Sequence, residues 1–195
     1  MRVLTYIAAK IYGNMADFFL KLSKEIDRIN EWVGRTSSWI SGILVILVCI
    51  DVLSRYLFSE TAAWVMELEW HLFSLLFLFG AGFALKHDRH VRVDLFYDKF
   101  SPKDKALVNL IGGLVFLLPW CLLIGITSFG YAYESFLNRE TSPDPGGLPA
   151  RYVIKFAVTL GLVLLLLQGI SQMIKDYRVW KGLDLEEPRE FNESL

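Results

Sequence analysis

From Ala106 to Tyr133 the chain carries no charged side chain, and three further stretches come close to that condition. Thr36 to Ile50 is free of charge, and its helix is expected to continue through Asp51 and Arg55 to about Phe58. A second apolar stretch covers about 66–85, with its acidic residues crowded at the start, and a fourth covers 156–174. A bilayer core of about 30 Å needs about 20 helical residues, so each stretch is long enough to cross it. In hydrocarbon every backbone N–H and C=O must be satisfied within the segment, which leaves helices for runs of this length. The expected fold is therefore an all-α integral membrane protein with four transmembrane helices, at about 36–58, 66–85, 106–133 and 156–174. The third run exceeds what a bilayer requires, which predicts tilt, a kink near Pro119 or an extension into the outer aqueous phase.

Composition agrees with alternating greasy and charged blocks. Of 195 residues, 54% are hydrophobic and 21% charged, with a formal net charge of -1 that gives no reason to invoke nucleic acid. Cys49 and Cys121 both sit inside apolar runs, where a free thiol is the natural reading. The first 35 residues lack the compact apolar core and small-residue cleavage site of a signal peptide. Instead Leu4, Ile7, Ile11, Met15, Phe18, Leu22, Ile26, Ile29 and Val33 advance in steps of three or four. That period predicts an amphipathic interfacial helix over 1–35, with Gly13 as a point where it can bend. Residues 176–195 form the C-terminal tail.

Lysine and arginine set the expected orientation. Six lie in residues 1–35, six between Lys86 and Lys105, and four after Ile174, whereas the other two connections hold only Arg55, Arg139, Arg151 and Lys155. By the positive-inside rule both termini and the central loop face the cytoplasm. The connections near 59–62 and 138–150 then face outward.

Polar residues in and beside the spans are the candidates for function. Asp51 and Arg55 stand four apart near the outer end of the first span, as an intrahelical ion pair requires. Arg55 is also placed to reach Glu67 or Glu69 on the next helix. Glu67 and His71 share a face near the outer end of the second span, where carboxylates can mark a proton or cation path. Two acids and one histidine near an interface, however, do not make a conduction path. In "KHDRHVRVDLFYDKF", His87, His90 and Asp94 follow a three-then-four spacing that would put them on one helical face. Arg89, Arg92, Lys99 and Lys103 surround them, so a divalent cation meets an unfavourable field, and a positively charged hinge is the better reading. Ser101, Pro102 and Asp104 read as a helix start, with N-cap, N1 and N3 filled in order. The outer connection "SPDPGGLPARY", with Gly146, Gly147, Leu148 and Pro149, is a shaped non-helical segment. It is either an ordinary turn or a recognition loop, and Pro149 stands where a helix could begin. No nucleotide fingerprint, nucleophile–base pair or CxxC pair is present, so an enzyme is not expected.

Taken in order, "IDRINEWVGR", "SRYLF", "WVMELEWHLFSLLFLFGAGFALKHDRHVRVDLFY", "GGLPARYVIKF" and "LLLLQGIS" resemble the small membrane subunit of TRAP (tripartite ATP-independent periplasmic) transporters, the DctQ-like family. The resemblance covers about residues 25–175. It implies a non-catalytic scaffold of four spans in the bacterial inner membrane, surrounded by membrane lipids. It also implies a large DctM-like membrane partner and a periplasmic DctP-like binding protein that delivers a solute such as an organic acid. Sodium coupling is then expected on the large subunit, and no cofactor on this chain. Carried over, Arg55 and Glu67 fall at family-typical outer positions, and His90 and Asp94 in the "H-x-x-V-D" signature at the inner side, with structural roles. The competing readings are a four-helix cytochrome-type anchor and a self-sufficient small channel or exporter. The first needs axial histidines on facing helices, but His71, His87 and His90 belong to one span or its exit; the second needs a polar stripe.

Overall fold

The computed structural model describes residues 2–59, 62–89, 97 and 99–183, with the side chains of residues 2–14 left aside. All regular structure among them is helical: α1 (Arg2–Phe58), α2 (Ala63–Lys86), α3 (Pro102–Gly112), α4 (Leu118–Leu137) and α5 (Tyr152–Lys181). Four helices are long and apolar enough to cross a membrane, with α3 and α4 counted as one rod over Pro102–Leu137.

The helix expected over 1–35 and the first span are one continuous helix of 57 residues, with no interruption at Gly13. At 1.5 Å per residue it is about 85 Å long, far more than a bilayer core demands. The continuity has a packing reason. Ser23, Ile26, Asn30, Gly34 and Ser37 are buried at steps of three and four and hold this part of α1 against the bundle. Most of the apolar stripe points away from it: Met15, Phe18, Leu22 and Ile29 are exposed, and Ile26 alone of the periodic set is fully buried among the described side chains.

The long third run carries a local change of winding. Gly113–Leu117 forms a π-helical turn between α3 and α4, and Pro119 follows it directly. Proline has no N–H for the preceding turn, and its ring crowds the carbonyl four residues back. A π turn widens the helix where that crowding would fall. The start of α3 is as expected, with Ser101 Oγ accepting the Asp104 N–H at 3.2 Å and Pro102 opening the helix.

The hub is α5, which packs on α1, α2, α3 and α4. Its inward face is built from small and polar groups, including Ala157, Gly161, Gln168, Gly169, Ser171 and Gln172. Small residues let helix backbones approach closely where lipid supplies no hydrophobic drive for association. A Cβ added to Gly161 would lie 2.8 Å from Leu78 Cβ, and one added to Gly169 would lie 2.5 Å from Leu117 Cδ2. The outside of the spans is apolar, with Trp39, Ile46, Phe77, Trp120 and Ile126 all exposed.

Candidate functional site

One turn into α2, Glu67 is buried at 6% exposure, and the loop between α4 and α5 closes over it. Its carboxylate accepts the Leu148 backbone N–H at 2.5 Å and the Ser142 hydroxyl. The loop is shaped to present those donors. Ser142 N–H donates to Leu148 O at 3.2 Å, and Gly147 N–H donates to Asp144 O at 3.0 Å. Ser142 Oγ also accepts the Asp144 N–H at 3.1 Å. Gly146 takes φ +78°, a conformation that side chains resist. At Gly147 a Cβ would stand 2.4 Å from Ser142 Oγ and 2.8 Å from Glu67 Oε2. So Glu67 of α2 joins Gly146, Gly147 and Leu148, noticed apart from it in the sequence, in one clasp. Ser142 belongs with them, and its place five residues before Gly147 gave no sign of it. Pro149 is exposed on the rim, and α5 begins three residues later, at Tyr152 rather than at the proline.

Near that clasp the ion pairs are local. Arg55 binds Asp51 on its own helix, and Asp51 is buried while the Arg55 side chain is 43% exposed. Glu67 turns to the loop, so the tie from α2 runs to residues 142–148 and bypasses Arg55. His71 sits one turn below, its Nδ1 on the Glu67 carbonyl. On the neighbouring side Glu140 pairs with Lys155, whose ammonium also lies 3.8 Å from the Tyr131 ring centroid. The Lys155 hydrogen bond holds the Glu140 carboxyl below the usual carboxylate range.

The opposite end of the bundle holds a second, larger set of polar contacts. Asp27 of α1 accepts from Gln168 Nε2 at 2.9 Å, from Ser171 Oγ at 2.8 Å and from Lys175. Ser23 and Ser171 share a hydroxyl–hydroxyl bond of 2.7 Å. A consistent direction has Ser23 donating to Ser171, which then donates to Asp27. Asn30 is fully buried, with its Oδ1 against the α-carbon of Gly82: a Cβ there would be 2.1 Å away. Glu31 gathers Arg35 at 2.6 Å, Lys86 at 2.7 Å and His87 Nε2 at 2.8 Å. This seam joins α1, α2 and α5, and none of its members except His87 was a candidate from sequence.

His87 is the first residue past α2, which stops at Lys86, and Asp88 takes φ +57°, which ends the helical register there. His87 is instead drawn back to Glu31 of α1. His90 and Asp94 themselves lie outside the described residues. Most polar groups of the clasp and of the seam thus bind within the chain, while Asn30 Oδ1 and Gln168 Oε1 are buried without a hydrogen-bond partner; the bonds made fasten helices together.

Residues 44–179 match the profile of a family described as tripartite ATP-independent periplasmic transporters, DctQ component. Two relatives agree with it. One, from Vibrio cholerae, is the C4-dicarboxylate TRAP transporter small permease protein DctQ, 23% identical over 146 residues, 75% of this chain and 61% of that protein. The other, a TRAP transporter small permease protein of Haemophilus influenzae, is 26% identical over 125 residues, 64% of this chain and 75% of that protein. The chain therefore spans about six-tenths of the length of the Vibrio relative. A family match that covers well over half of the residues, on a four-span helical chain, identifies this protein as a member of the DctQ component family of the tripartite ATP-independent periplasmic transporters.

Proposed function

We propose that this chain is a non-catalytic scaffold subunit that anchors a large membrane subunit during binding-protein-dependent, sodium-coupled uptake of a solute. The observation that carries the reading is how its ionisable groups are used. Asp27, Glu31, Asp51, Glu67 and Glu140 all meet donors from this same chain, and α5 is fastened at both ends. A transporter that moves substrate alone keeps polar groups free at mid-membrane, commonly on broken helices. Here these five carboxylates are spent on bonds within the chain, and the outer surface is left apolar for lipid or a membrane partner. Elevator-type motion of a large subunit needs an immobile counterpart, and a cross-braced bundle of this kind supplies one.

On this reading the substrate and sodium sites belong to the large subunit, and both termini face the cytoplasm of a bacterial inner membrane. The Vibrio relative's name makes four-carbon dicarboxylates the first solutes to try, with other organic acids next. The test is uptake into proteoliposomes that contain the chain alone, or the chain with a large subunit and a binding protein. The reading expects sodium-dependent uptake in the second case and none in the first. Solute or ion flux through the purified chain alone overturns it.

A further inference from the structure

At the end of α5 that carries Lys175 and Lys181, a groove of about 830 Å³ runs between α1 and α3. It exists because α1 and α3 both pack on α5 but occupy different flanks of it. The contacts of Ser23 and Asp27 with Ser171 and Lys175 fasten α1 to one flank. Beyond them Phe19 of α1 and Leu114 face each other across Met173 of α5, and the floor between is hydrocarbon. One rim is cationic. Arg178 and Lys181 line it, and Lys181 is exposed with its ammonium 4.6 Å from the Trp180 ring centroid and 5.9 Å from that of Tyr177. No carboxylate among the described residues forms an ion pair with Lys181.

We propose that this groove seats one acyl chain of an anionic phospholipid, with its phosphate held at Lys181 and Arg178. Three features favour that occupant. An apolar floor with a basic edge matches an amphiphile whose charged end is negative, and an aromatic pair beside the cation is what the level of the lipid headgroups selects. The volume lies within the range of about 300–1,000 Å³ that encloses single small ligands. A partner helix, about 10–12 Å across, would fill it within roughly two turns, whereas a narrow flexible chain can follow it along its length. The inference rests on the orientation given above, which puts this end of α5 at the cytoplasmic leaflet. There the membrane's own negative lipids would reach it.

The full chain, reconstituted in phosphatidylcholine vesicles with about one-tenth phosphatidylglycerol, tests the assignment. A photoreactive group is carried on the acyl chain of one lipid or the other, and labelled peptides are identified by mass spectrometry. Phosphatidylglycerol should label the peptides around Phe19, Leu114 and Met173 roughly fivefold more than phosphatidylcholine does. Lys181→Glu should abolish the preference, and Leu114→Trp, which fills an exposed part of the groove, should lower labelling by both lipids. Equal labelling by the two lipids, or a preference that survives Lys181→Glu, overturns the proposal. Labelling that vanishes when the large subunit is bound also overturns it, because the groove is then a subunit interface. The orientation is checked apart from the lipid, by labelling Leu183→Cys with an impermeant maleimide in intact spheroplasts. Reaction from outside defeats the topology while the lipid preference remains measurable in vesicles.

Discussion

Glu67 on α2 accepts the backbone N–H of Leu148 at 2.5 Å, across 81 residues of sequence. That bond places a carboxylate beneath a loop and gives the Gly-Gly-Leu-Pro segment its shape. With Ser142 as second donor, this end of the bundle is closed by one side chain.

Removing that side chain leaves Leu148 N–H and the Ser142 hydroxyl without their acceptor. Glu67→Ala should lower stability in detergent by about 1–3 kcal/mol and open residues 142–148 to protease. Gly147→Ala should act in the same direction, since its Cβ would stand 2.4 Å from Ser142 Oγ. Thermal unfolding of each variant checks this; unchanged midpoints together with an uncleaved loop would remove the clasp from the account.

The seam between α1 and α5 predicts coupling between two serines. A double-mutant cycle on Ser23→Ala and Ser171→Ala should give an interaction energy of about 0.6–1.7 kcal/mol. Asp27→Ala should cost more, about 2 kcal/mol or above, because Lys175, Gln168 and Ser171 all lose their acceptor. Simple additivity of the two serine changes would show that their hydroxyl bond contributes nothing.

Two glycines should respond oppositely to the same change. Gly161→Ala places a methyl group 2.8 Å from Leu78 Cβ and 3.1 Å from its carbonyl oxygen, so α2 and α5 must separate, at about 1–3 kcal/mol. Gly80→Ala meets nothing within 4 Å and gains about 0.5–1 kcal/mol of helix propensity. If both variants unfold at the same temperature, close packing at Gly161 is not what holds the two helices.

Acid should loosen the connection between α4 and α5. The Glu140 carboxyl titrates below its ordinary 4.5 because the Lys155 ammonium donates to it, so its folded form is the ionised one. The stabilisation is complete above that ordinary value and is lost as pH falls below it, through the lowered folded value. Protease sensitivity of the 138–151 loop should therefore rise with acid in the wild type. Glu140→Gln should be sensitive at every pH, with a weaker acid dependence; a wild-type profile in that variant contradicts the pairing.

What the sequence shows depends on range. The four spans follow from uncharged length, the Asp51–Arg55 pair from a spacing of four, and the Ser101 cap from three residues within 101–104, all local properties. The Glu67–Leu148 bond joins separate segments, and only the presence of an acid in one and glycines in the other was visible. The seam between α1 and α5 was hidden for a different reason. Apolar periodicity in residues 4–33 reads as a packing face in water, yet beside lipid the polar and small stripe turns inward. Ser23, Asn30 and Ser37 at steps of seven, matched by Gln168, Ser171 and Lys175 at steps of three and four, carried that signal. The reading of His87 assumed that its helix continued, and the chain leaves that helix at Lys86.

The central claim, that this bundle is a fixed scaffold for a larger transport subunit, is tested most directly by what leaves the membrane with it. The tagged chain, co-expressed with a large TRAP membrane subunit and extracted in mild detergent, should emerge as a complex whose mass by light scattering fits a fixed one-to-one subunit stoichiometry. A chain that extracts alone, with the large subunit present in the same membranes and separately soluble, contradicts the account.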